Sequence, residues 1–160
     1  MKDKGNLQGK VYFTVFFTVL ALHMTFLLLA WDNIPDEIGI HYTNGEPDGY
    51  GSKYVLFLLP FISLITWYSL GFAKRRPEKL NYLNLTEQNK EIQYVKGKKM
   101  MTHLQYLTAL SIVFMNETFL KESMGENHTT PLMIAVILVG ISVVIPFGYM
   151  IWSVRLKDSK

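Results

Sequence analysis

The side chains of this 160-residue sequence with types suited to chemistry are four histidines and thirteen carboxylates, with no cysteine among them. His23 sits inside an apolar run from Val11 to Trp31 that holds no Asp, Glu, Lys or Arg. An ionisable group in such a run is costly and normally faces a partner or water. Two readings follow for it: a neutral imidazole hydrogen-bonded between helices, or a proton or ligand site. His103 opens a different apolar segment, at a depth that differs from that of His23 by roughly 10–15 Å at 1.5 Å per residue, so the two are not expected to share a metal. His41, Asp48, Glu117 and His128 are nitrogen and oxygen ligand types for a divalent ion. No spacing demands one, however, and the expectation is a folded loop in which His41 and Asp48 satisfy turn hydrogen bonds, with no metal and no cofactor. The sequence contains no H-E-x-x-H, nucleophile elbow or phosphate loop, and no convincing carboxylate pair lies in its apolar segments. It is not expected to be an enzyme. Without cysteine, disulfides and thiolate metal sites are excluded.

The elements that position these residues are legible from hydropathy. The chain is 49% hydrophobic and 14% aromatic, with a mean hydropathy of +0.16. Its apolar residues fall into four blocks, about 11–31, 54–73, 100–119 and 131–154. Each approaches the roughly 20 residues that a helix needs to cross about 30 Å of hydrocarbon. The expected fold class is therefore an all-α integral membrane protein, one four-helix transmembrane bundle with a short folded outer loop, 32–53, after the first helix. The third block is the least apolar, since it contains His103, Gln105, Asn116 and Glu117. Its alternative is an amphipathic helix lying on the membrane surface. Gly71, Gly140 and Gly148, with Pro60 and Pro146, are expected to kink or closely pack helices two and four.

Charge assigns the orientation, because Lys and Arg in short loops favour the cytoplasmic side. With four crossings, residues 1–10, 74–99 and 155–160 fall on one side and hold 14 of the 16 basic residues against five acids. The two loops on the other side hold eight acids and only Lys53 and Lys121. Both termini and the basic loop 74–99 are expected in the cytoplasm of a cell membrane, against anionic lipid headgroups. The pI near 9.0 thus describes orientation and not nucleic-acid binding.

Loop 32–53 changes composition abruptly. Ile38, Ile40 and Tyr42 alternate with polar neighbours as a strand does, and Asn44-Gly45 tolerates positive φ, a hairpin signal. Glu46-Pro47-Asp48-Gly49 reads as a second turn, with Asp48 capping its own backbone. Ser52 is placed to N-cap the helix that follows.

These residues resemble a known family of bacterial membrane proteins, those carrying domain of unknown function 1648, as found in the SdpI-type immunity proteins. The likeness lies in Ile34-Pro35, His41-Tyr42, Gly45-Glu46-Pro47-Asp48 and Tyr50-Gly51-Ser52-Lys53. A weaker likeness, Thr86, Asn89, Gln93 and Tyr94 within Asn84–Tyr94, precedes the third helix, where Ile92 stands in place of the usual Arg. Together the two cover most of residues 10–120. The resemblance implies that Pro35, His41, Gly45, Pro47, Asp48, Tyr50, Gly51, Ser52 and Lys53 meet a ligand or partner, and that the role is immunity-like, in a Gram-positive cell membrane, against a secreted peptide.

Read physically, Leu85-Thr86-Glu87 is a helix start, and Asn89, Gln93 and Lys96 then share one face, a solvated helix face unless it is used for packing on the basic loop or for docking a cytoplasmic regulatory protein. The expected function is a binding or sensing module whose outer loop meets an extracellular peptide or envelope component. The alternatives are an accessory or structural subunit packed with other membrane proteins, or a small transporter. The bilayer is the one partner that every reading shares.

Overall fold

The computed structural model describes residues 2–156, with side chains from residue 7 onward. The side chains of Lys2 and Lys4 and the end of the basic tail, residues 157–160, lie outside the described residues. Helix α1 spans Lys2–Ala30 and closes in a short 3-10 turn, Trp31–Asn33. Strands β1 (Glu37–Thr43) and β2 (Glu46–Ser52) follow. A 3-10 turn over Lys53–Phe57 then runs into α2 (Leu58–Lys74), and α3 (Lys90–Ser123) and α4 (Thr129–Val154) complete the chain.

Three helical segments, Leu7–Asn33, Lys53–Lys74 and Thr129–Val154, are long and apolar enough to cross a membrane, with mean hydropathies of 2.2, 1.9 and 2.5. Their surfaces point outward: only 6% of the most apolar window of the last is buried in the protein, and Val136, Ile137, Val144 and Phe147 stand exposed. Apolar surface on that scale marks a membrane or partner interface.

Helix α3 is built on the opposite plan. It packs against α1, α2 and α4, and its polar residues turn inward: Gln93, Gln105, Ser111, Asn116 and Thr118 are all buried. Ser111 and Thr118 bond back to carbonyls of their own helix, at Thr108 (2.7 Å) and Phe114 (3.0 Å), and the others reach neighbouring elements. Gln105 donates to the Trp67 carbonyl (2.9 Å) and accepts from Lys74 (2.8 Å), and Ser63 donates to the Ala109 carbonyl (2.8 Å). The low apolarity of this block follows from its position, since a helix enclosed by three others needs polar partners more than lipid-facing surface. The helix also starts later than Leu85–Glu87. Thr86 and Asn89 exchange backbone-to-side-chain bonds of 2.9 and 3.3 Å, a reciprocal cap that leads into α3 at Lys90.

Close packing by glycine holds at one of the three expected positions. A Cβ on Gly71 would lie 2.6 Å from the Gln105 amide nitrogen, whereas Gly140 and Gly148 face open space. One apolar core, Phe16, Leu20, Tyr106, Ala109 and Val113, joins α1 to α3, with Trp67 stacked on Phe16. A second, Leu27, Ile34, Ile38, Leu56 and Leu120, ties the hairpin to the ends of α1, α2 and α3.

The hairpin forms at the expected turn, with Asn44 at φ 54° and Gly45 at φ 86°, the left-handed pair of a type I′ connection. The second turn expected at Glu46–Gly49 is absent. These residues are strand β2, paired Thr43 to Glu46, Tyr42 to Pro47 and His41 to Gly49. Once the two-residue turn is set, its register carries the next residues alongside β1. Pro47 is tolerated because β2 is an edge strand. The ladder is irregular on either side of His41.

Candidate functional site

The site is built where the hairpin sits on the helix ends. Lys53, which follows β2, buries its stem so that the side chain is 14% exposed. Its ammonium donates to the carbonyls of Ile34 (3.2 Å) and Trp31 (3.5 Å), pairs with Asp36 at 3.0 Å and lies 4.9 Å from the Trp31 ring centre. A cation on the last carbonyls of a helix complements the helix dipole, and it gives the Trp31 carbonyl, which accepts from the Ile34 amide (3.4 Å), a second partner. The Lys53 amide also donates to the Asp36 carbonyl (3.0 Å). Ser52 Oγ accepts from the Tyr54 amide, the cap expected of it. Lys53 and Ser52 therefore fasten the hairpin to α1 and to the start of α2. Gly51 serves the same seam, since a Cβ there would meet Ile40 at 2.9 Å.

Beneath the hairpin runs a buried polar chain. The Asn116 side-chain nitrogen lies 2.8 Å from the Leu56 carbonyl and 2.8 Å from His23 Nε2. A carbonyl can only accept, so the amide turns its NH2 group that way, and its second hydrogen reaches His23 Nε2. The imidazole then carries its own hydrogen on Nδ1 and donates it to Glu117 Oε2 at 2.6 Å. This is the neutral histidine hydrogen-bonded between helices, with the carboxylate as the partner that fixes its tautomer. Glu117, counted among the acids of the outer side, lies in α3 as the bounds of the third block place it, its side chain 19% exposed. Among the described residues none donates a hydrogen bond to Asn116 Oδ1, although the residue is wholly buried.

Two grooves flank the chain. One, of about 250 Å³, lies between β1, the start of α2 and α3, lined by Ile38, Ile40, Leu56, Leu59, Phe119 and Asn116. The other, of about 280 Å³, lies between α1 and α3 and contains His23 and Glu117 among apolar neighbours. Asn116 was not singled out in the sequence as a site residue. The signal was present, however: two polar residues in succession, Asn116-Glu117, at the end of an apolar block on the same side as His23.

At the hairpin tip, Asp48 accepts from Thr43 and pairs with His41. The Thr43 bond, then the His41 bond, hold its carboxyl below the ordinary value. Tyr42 donates to the Gly39 carbonyl (3.1 Å), and its phenol is pushed up to about 12, first by burial and then by the negative charge of Glu122. Pro35, Pro47 and Tyr50 are exposed. His41 and Asp48 pair with each other, Glu117 is engaged with His23, and among the described residues no group of three or more His, Asp or Glu is placed to hold a metal ion.

At the opposite end the expected partner face turns inward. Asn89 and Gln93 are 3% and 0% exposed. Gln93 donates to the carbonyls of Leu83 and Asn84 (both 3.1 Å) and accepts from Tyr149 (3.1 Å) and Ser153 (3.0 Å). Tyr94 packs on Tyr82. Of the two uses foreseen for this face, packing on the chain's own loop is the one adopted, so Asn89 and Gln93 do not offer a docking surface. Lys96 instead lies over Trp152 of α4. His103 takes Tyr12 as its partner at 3.3 Å, between the same two helices that hold His23 but at the other end of the α1–α3 contact.

The model of one protein family, described as Domain of unknown function (DUF1648), matches residues 16–64, which bears out the resemblance over the N-terminal part. The matched stretch holds His23, the hairpin and the Lys53 clamp, and it ends before Asn84–Tyr94 and before Asn116 and Glu117. No curated protein and no solved structure matches the chain.

Proposed function

We propose that the chain is a multi-pass binding or sensing module of the cell membrane, in which α3 makes a fourth crossing, the hairpin stands outside and both termini lie in the cytoplasm. The crossing by α3 is supported by its length of 34 residues and by its enclosure among three apolar helices. The orientation is supported by the concentration of Lys and Arg in residues 1–10, 74–99 and 155–160.

One observation carries the binding reading. The hairpin is a folded element clamped by Lys53, Ile34 and Ile38 onto three helix ends, directly above a polar chain that joins α1 to α3. A contact made outside would therefore be felt by α3, which continues to the basic end of the protein. The resemblance to immunity-type proteins supports a secreted peptide as the ligand. The test is survival of a sensitive Gram-positive host challenged with secreted antimicrobial peptides. Protection by the native chain, lost in a His41 and Asp48 double variant that still reaches the membrane, is the expected result. Equal survival with and without the protein removes this reading.

A second reading rests on α4. Its outward face is apolar along its whole length, and Gly140 and Gly148 meet nothing within 4 Å, so a helix of another subunit could approach closely there. Copurification of a membrane partner that is lost on Gly140→Leu supports the accessory-subunit role.

A further inference from the structure

We infer that the groove beneath β1 is a seat for the apolar side chain of a cationic peptide, and that the Asn116 carbonyl oxygen receives a hydrogen bond from that peptide's backbone. The inference rests on the binding reading above and names where the ligand sits and what chemistry it brings.

Three observations converge. The groove is apolar on nearly every side and, at about 250 Å³, has room for a large aliphatic or aromatic side chain. Its one side-chain hydrogen-bonding group is Asn116, wholly buried, whose Oδ1 has no donor while both amide hydrogens are used. A buried acceptor left unpaired costs about 1–3 kcal/mol, so a ligand that supplies an N–H there recovers that cost. Finally, Ile38, Gly39 and Ile40 line the groove in succession. Ile38 and Ile40 line it two positions apart, and the backbone of Gly39, which has no side chain, lies bare between them. Among the described residues β1 pairs only with β2, so its other edge is open to an extended chain, the geometry of strand addition.

Charge separates a peptide from a lipid. Loop 32–53 carries five acids and one lysine, and that lysine is already paired with Asp36. Asp32, Glu37 and Glu46 stand exposed around the hairpin. This surface attracts cationic flanks and repels the headgroup of an anionic phospholipid.

The full chain in lipid nanodiscs, isotope-labelled at isoleucine methyls and at asparagine side-chain amides, is titrated with acetyl-Lys-Leu-Leu-Lys-amide. The expected result is saturable shifts at Ile38, Ile40 and the Asn116 amide. They should weaken about tenfold with the analogue methylated on both leucine nitrogens, as loss of one bond to a buried acceptor requires. Leu59→Trp, which fills the groove, should abolish them while the side-chain amide signal of Asn44 at the hairpin turn stays in place. Peptide shifts confined to the outer faces of the hairpin, indifferent to N-methylation, overturn the groove and leave the binding module standing. Shifts at the groove from dioleoyl phosphatidylglycerol and none from the peptide make it a lipid seat and overturn the proposal. A flat response to cationic peptides and lipid alike overturns the proposal, and host protection observed alongside it would show that the binding reading survives without this seat.

Discussion

His23 Nδ1 on α1 lies 2.6 Å from Glu117 Oε2 on α3, joining two helices through residues 94 positions apart in sequence. The bond holds the imidazole in the tautomer that lets its other nitrogen accept from Asn116. The pair is therefore one unit with Asn116 and the Leu56 carbonyl. His23→Leu should cost about 1–2 kcal/mol of helix association, the range for polar contacts between membrane helices. Glu117→Leu should cost a similar amount. The double variant should cost clearly less than the sum, because neither partner is then left buried alone. Unfolding by steric trapping in bicelles reads all three; strictly additive losses would show that the two side chains do not cooperate.

Lys53 touches an ion-pair partner and two carbonyls, and magnitudes separate the two roles. Asp36 is 95% exposed on its side chain, and exposed pairs are worth about 0–1 kcal/mol. Asp36→Asn should therefore change the hairpin little. Lys53→Met leaves the Trp31 and Ile34 carbonyls without a cation and should cost about 1.5–3 kcal/mol, as for bonds to a charged group. Amide exchange across β1 and β2 is the readout. Equal acceleration in both variants would show that the ion pair, not the carbonyl cap, fastens the hairpin.

Acid should loosen the hairpin tip. The Asp48 carboxyl is held below its ordinary 3.8 by Thr43 first and His41 second. A lowered folded value means that its stabilising contribution is complete above that ordinary value and is lost as pH falls through the lower, folded one. Thr43→Val should bring the carboxyl back toward 3.8 more than His41→Gln does, as followed by carboxyl carbon chemical shifts. The reverse order would make the histidine the principal partner.

At the hairpin the alkaline side depends on Tyr42. Burial and Glu122 raise its phenol to about 12, so its contribution is whole below the ordinary 10.0 and disappears as pH rises toward the folded value. In phenolate absorbance, Tyr42→Phe should remove one tyrosine's amplitude from the step near 12 and leave the step near 10 unchanged. Glu122→Gln should move that amplitude to lower pH. An amplitude lost near 10 would place Tyr42 in open solvent.

Gln93 gathers the opposite end by bonding the loop at Leu83 and Asn84 and helix α4 at Tyr149 and Ser153. Gln93→Leu keeps the volume but strands several buried polar groups, each at about 1–3 kcal/mol. Proteolysis between residues 80 and 89 should accelerate at least tenfold in membranes, whereas Tyr94→Phe should leave it unchanged. Resistance in Gln93→Leu would show that the loop is held by its own cap at Thr86 and Asn89.

The sequence by itself determined what depends on neighbours a few residues apart. Uninterrupted apolar runs become helices, so α2 and α4 were legible to within a few residues, whereas α1 begins nine residues before its apolar block, at Lys2. Asn44-Gly45 requires left-handed backbone, so the hairpin turn was legible too, as was the Ser52 cap. Only the tertiary structure decided the rest. Glu46–Gly49 has the composition of a turn, but pairing with β1 draws it into a strand. Asn89 and Gln93 read as a solvated face until the loop at 83–84 and α4 close over them. The polar residues of α3 weaken its apolar pattern, and they are explained only once α1, α2 and α4 surround it. His23, Glu117 and Asn116 become one chain through contacts that span more than ninety residues, with the Leu56 carbonyl setting the direction of every hydrogen bond. Such contacts depend on how four helices pack, a relation that no local spacing records.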